Sequence, residues 1–106
     1  MSYGEAIARE LAEAIDQERP IFALLNGRLI GITNSAARSG SAKWTTDGRI
    51  ELTAEIYFWN PGHDEMYALS SGRINAPEQE GWSHGIGLRM RFEPSAIVLL
   101  ETVNLT

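Results

Sequence analysis

The chain has 106 residues, 43% hydrophobic and 22% charged, a net charge of −5 and no cysteine. These figures suit one globular domain spanning 1–106, and they exclude disulfides, thiolate nucleophiles and cysteine-held zinc or iron–sulfur clusters. The longest apolar runs, Ile21 to Leu25 and Ala96 to Leu100, fall far below the ~20 residues of a membrane helix, so no membrane partner and a cytoplasmic setting are expected.

Ser2 followed by Glu5 has the form of a capping box and predicts a helix over about 2–18. Tyr3, Ile7, Leu11, Ala14 and Ile15 recur at helical spacing opposite Glu5, Arg9, Glu13 and Asp16, and Pro20 ends the pattern. From Ile21 the period becomes two. Ile21 to Leu25 and Arg28 to Thr33 flank Asn26-Gly27, a pair suited to the tight turn of a hairpin. Asn34 to Ser41 is polar and reads as a loop. Ala42 to Thr46 and Arg49 to Trp59 flank Asp47-Gly48, which predicts a second hairpin of the same kind with Trp44 near Glu51 to Thr53.

The second arm alternates cleanly, with Ile50, Leu52, Ala54, Ile56 and Phe58 on one face and Glu51, Thr53, Glu55, Tyr57 and Trp59 on the other. Glu65 to Ser70 reads as another strand and Ser71 to Ser83 as the longest irregular stretch. Gly85 to Glu93 alternates again, Pro94-Ser95 turns the chain, and Ala96 to Asn104 reads as a strand with Ile97 to Leu100 apolar on both faces. The expected fold is α+β: an N-terminal amphipathic helix on a curved antiparallel sheet of six or seven strands over about 21–104, as a roll or small barrel. Gly31 and Gly87 are candidate bulge positions for the curvature.

Charge is distributed unevenly. Residues 1–18 sum to −4, with Glu5, Glu10, Glu13, Asp16 and Glu18 against Arg9, whereas 19–49 sum to +4, with Arg19, Arg28, Arg38, Lys43 and Arg49 against Asp47. The overall acidity argues against nucleic acid as a partner. Arg28, Arg38, Lys43 and Arg49, with Arg89 and Arg91, form the one basic set on which a phosphate-facing patch could be built.

Three groups of residues carry possible chemistry. His63-Asp64-Glu65 is either a solvated acidic loop or an acid/base or metal site, and His84, within Gly81-Trp82-Ser83-His84-Gly85, could join it if the two loops meet. Glu51 and Glu55 are too far apart along one strand for a direct carboxylate pair. The aromatics Tyr57, Trp59, Tyr67 and Trp82 form either a second minor core or a binding surface.

No metal site, cofactor or catalytic motif is indicated, and an enzyme is the less favoured expectation. The leading expectation is a small, soluble, non-catalytic interaction module, a homo-oligomer or partner-protein binder that uses Tyr57, Trp59 and the Ser71 to Ser83 loop. Its rival is a small-molecule or acid/base site at the mouth of the roll, lined by Trp59, Tyr67 and Trp82 and served by His63, Asp64 or His84.

Overall fold

The computed structural model describes residues 2–33, 40–74 and 81–100, without the side chains of 84–88. Helix α1 runs Tyr3–Asp16 behind Ser2, whose Oγ accepts the Glu5 N–H at 3.2 Å while its hydroxyl donates to Glu5 Oε1 at 3.3 Å. The buried stripe is Gly4, Ile7, Ala8, Leu11, Ala14 and Ile15. Tyr3, expected on that stripe, is exposed. The helix closes with Glu18 in the left-handed region at φ 54°. The Glu18 N–H donates to Ile15 O and that of Arg19 to Ala14 O, the bond pattern of a Schellman motif, with Glu18 at the position where glycine usually stands.

Six antiparallel strands follow among the described residues. β1 (Ile21–Leu25) and β2 (Arg28–Thr33) turn through Asn26 and Gly27, both at positive φ as a type I′ turn requires. β3 (Ser41–Trp44) and β2 lie end to end along one edge of β4 (Ile50–Trp59), with Ser41 opposite Thr53 and Thr33 opposite Glu55. β5 (Trp82–Phe92) takes the other edge of β4, and β6 (Ile97–Leu100) pairs with β1. The short 3₁₀ turn Pro94–Ala96 links β5 to β6. The result is an α+β half-barrel, a strongly curled sheet with the N-terminal helix packed on it.

The curl has a local cause. Ala54 pairs with Leu88 and Ile56 with Gly85, so Ile86 and Gly87 together oppose Glu55, a β-bulge on β5. A bulge bends its strand and increases the twist. On the opposite edge of β4, at the same level, the chain leaves β2 after Thr33 and returns to the sheet at Ser41. Gly87 is thus a bulge glycine as expected, whereas Gly31 pairs regularly with Phe22 and Tyr57. Gly31 serves close approach instead: a Cβ there would lie 2.7 Å from the Ile74 side chain.

The second hairpin is not of the expected kind. Gly48 N–H donates to Thr45 O and Thr45 N–H to Arg49 O, and Gly48 alone has positive φ, so the loop has three residues rather than two. That extra residue shifts the register by one and pairs Trp44 with Ile50 instead of Glu51. A one-residue shift moves a side chain to the opposite face. Trp44 therefore stands on the α1 side, where its ring occupies the space beside Gly4.

Residues 65–70, read as a strand, belong instead to helix α2 (Glu65–Ser71). Asp64 caps it by accepting the Met66 N–H at 3.0 Å, and Gly72, at φ 65°, ends it. Local capping outweighs the two-residue alternation here because the segment's inward-facing apolar groups, Ala68 and Leu69, are adjacent in sequence and both pack in one cluster, while Met66 and Tyr67 stay exposed.

Two cores result, one on each face. The larger joins the α1 stripe to Ile30, Ile32, Ile50, Leu52, Ile56 and Phe92. The smaller unites Phe22, Leu29, Trp59 and Ala68, with Leu24, Leu69, Ile74, Trp82 and Leu100 against them. Burying each large side chain of this second cluster is worth ~1.5–3 kcal/mol, and α2 adds Ala68 and Leu69 to it. β6 contributes to both cores, Ile97 and Leu99 to the first and Leu100 to the second, while Val98 is exposed. The expected strand residues 101–104, residues 34–39 of the 34–41 loop and residues 75–80 of the 71–83 stretch lie outside the described residues. Among the described residues no helix is long and apolar enough to cross a membrane.

Candidate functional site

A groove of about 360 Å³ opens where the β1–β2 turn faces the loop from β4 to α2. Asn26, Gly27 and Arg28 form one wall and Asn60 to His63 with Glu65 the other, with the buried Leu29 and Trp59 between. Both walls are tied to distant segments. Asn26 N–H donates to Ala96 O at 2.7 Å, Asn60 N–H to Gly81 O at 2.7 Å, and the Ser83 hydroxyl to Asn60 Oδ1 at 2.8 Å. The indole N–H of Trp59 donates to His63 O at 3.0 Å and holds the loop over the second core. Arg28 rests its guanidinium 4.9 Å from the centre of the Phe58 ring and directs Nε at Trp59 O, 3.4 Å away.

The three consecutive residues His63, Asp64 and Glu65 do not converge on one point. His63 lines the groove with its ring edge-on to Trp59, centroids 5.8 Å apart. Asp64 is turned away to cap α2, and Glu65 lines the groove. His84 pairs through its backbone with Tyr57, and its side chain lies outside the described residues. No cluster of three His, Asp or Glu side chains able to hold a metal is found among the described residues.

The four aromatics separate. Trp59, only 3% exposed, belongs to the second core. Trp82 packs edge-on to it at 5.0 Å and stacks on Phe22 at 6.1 Å. Tyr57 is half-buried. Of the four only Tyr67 is largely exposed, on α2. Trp59 and Trp82 thus pack together in the second core. Sequence reasoning missed Arg28, Asn60 and Glu65 as neighbours: Asn26-Gly27 announced a turn, but only the long-range pairing of β2 with β4 brings that turn beside residue 60.

The comparisons leave the site to its own geometry. No family model, no curated protein and no solved structure matches this chain.

The basic residues are also dispersed. Glu51, 16% exposed, accepts from Arg89 at 2.7 Å and from Arg91 at 3.1 Å, and Lys43 is its partner in the β3–β4 register. Arg49 faces Glu93 at 3.5 Å, Arg28 stands at the groove, and Arg38 lies outside the described residues. Hydrogen bonds from Arg89 and then Arg91 hold the Glu51 carboxyl below its ordinary pKa. Asp47 is lowered chiefly by the Thr45 hydroxyl that donates to it. Arg49, Arg89 and Arg91 are thus engaged in structural pairs with carboxylates, and among the described residues the basic side chains do not form one open cationic face.

Proposed function

We propose that the protein is a small non-catalytic interaction module that associates with a second copy of itself through α2 and the neighbouring outer face. The observation that supports this is the exposure of Met66 and Tyr67, 68% and 53%, on a seven-residue helix whose one buried residue is Ala68. Tyrosine and methionine are enriched in interfaces because they offer large contact area, one rigid and one adaptable. Val98, 53% exposed on β6, lies on the same sheet face as Leu24, its partner in register, which packs into the core that α2 covers.

The β5 edge is a poorer contact. It carries Arg89, Arg91 and the bulge opposite Glu55, features that discourage strand-to-strand pairing between chains. The surface favoured here therefore differs from the Tyr57/Trp59 face that the sequence suggested, because the chain covers Trp59 itself.

Native mass spectrometry and sedimentation of the wild type beside a Met66→Ser/Tyr67→Ser variant test the reading. The wild type is expected to form a dimer or larger species at micromolar concentration, and the variant to weaken association by at least about tenfold. A monomeric wild type, or a variant that assembles equally well, overturns it.

A further inference from the structure

Arg28 and Glu65 bring opposite charges to one groove without meeting each other. Neither makes an ion pair within 4.0 Å among the described residues, although both line the same 360 Å³ space. Arg28 is held by the Phe58 ring and Trp59 O, contacts that fix its position but leave its charge uncompensated. Glu65 has no side-chain hydrogen bond among the described residues. The backbone of the walls that carry them is held by the bonds of Asn26 to Ala96, Asn60 to Gly81 and the Trp59 indole to His63.

A ligand carrying both an anionic group and an ammonium would neutralise both groups at once. We propose that this groove binds a small zwitterion, with its carboxylate or phosphate on the forked donors of Arg28 and its ammonium on Glu65. Asn60 and His63 stand beside that position as further polar contacts, and no bond is made or broken. The volume is at the lower end of ligand pockets and suits a molecule of about amino-acid size. Because both charged groups are solvent-exposed, affinity is expected on the order of 1 mM. The proposal does not depend on self-association.

An NMR titration following backbone amides provides the test, with glycine, β-alanine and phosphoethanolamine as probes and acetate and methylamine as single-charge controls. The zwitterions are expected to shift the amides of 26–29 and 59–65, and the controls to need about tenfold higher concentration. β-Alanine against phosphoethanolamine distinguishes a carboxylate from a phosphate ligand. Arg28→Gln and Glu65→Gln should each weaken binding about tenfold, and Arg28→Lys should fall between wild type and Arg28→Gln. Acetate binding as well as the zwitterions, or no probe shifting these amides, overturns the proposal on the wild-type protein alone, whatever the stability of the variants.

Discussion

Glu18 and Gly81 show how strongly one backbone angle decides what a position tolerates. Glu18 sits at φ 54° past the end of α1, where a side chain carries a steric cost that glycine avoids. Glu18→Gly should therefore stabilise the fold by ~0.5–1 kcal/mol, measured as an increase in urea midpoint at unchanged slope. Gly81 is the opposite case. It has φ 115°, and a Cβ there would lie 2.7 Å from the Trp59 ring, so backbone strain and overpacking add. Gly81→Ala should cost ~2–4 kcal/mol by the same measurement. Gly4 is constrained by packing alone, its α1 position filled on the outside by Trp44 and Pro94.

The elements owe their placement to loop chemistry as much as to periodicity. The Thr45–Arg49 loop contains one residue more than a two-residue turn, and that difference moves Trp44 from the Glu51 face to the α1 face. The Asp47-Gly48 pair announces a hairpin in the sequence, but whether its loop has two or three residues depends on Thr45, whose hydroxyl accepts the Arg49 N–H at 3.0 Å. α2 was equally hard to read, because seven residues hold too few apolar positions for a helical period to stand out; Asp64 and Gly72, its two caps, were the available signal. Asp64→Ala should cost ~1 kcal/mol, typical of a lost N-cap. Its distinctive readout is Trp59: loosening α2 lets water reach the second core, and tryptophan emission should shift to the red below the global transition. An emission spectrum identical to wild type would show that the cap does not hold α2 in place.

At the scale of the whole molecule, the β3–β4–β5 surface carries a predictable response to acid. Glu51 and Asp47 both have lowered pKa values when folded, so their stabilising contribution is complete above the ordinary carboxylate range near ~4 and is lost as pH falls through the lowered folded values. Thermal unfolding followed from neutral to acid pH should show stability draining in that window. Glu51→Gln should flatten the decline, since it removes the carboxylate that Arg89 and Arg91 share. Coincident acid limbs in the two proteins would show that the three-residue cluster contributes nothing measurable. The cluster also places two arginines on β5.

What the sequence determined by itself was local and periodic. The capping box of Ser2 and Glu5, the buried stripe from Ile7 to Ile15, the Asn26-Gly27 turn and the alternation of Ile50 to Phe58 each follow from interactions within a few residues or from a repeat that matches one element's geometry. Together they imply a helix on a curved antiparallel sheet, which is the fold. Tertiary structure alone decided which aromatics are inside and which charges meet. Trp59 is buried because Gly81, Trp82 and His63 close around its ring, with Ala68 of α2 in the same cluster, and Arg28 reaches Glu65's groove because β2 pairs with β4 across some thirty residues of chain. Neither relation leaves a trace in spacing, since contacts between distant segments depend on where loops return the chain and not on any repeat within it.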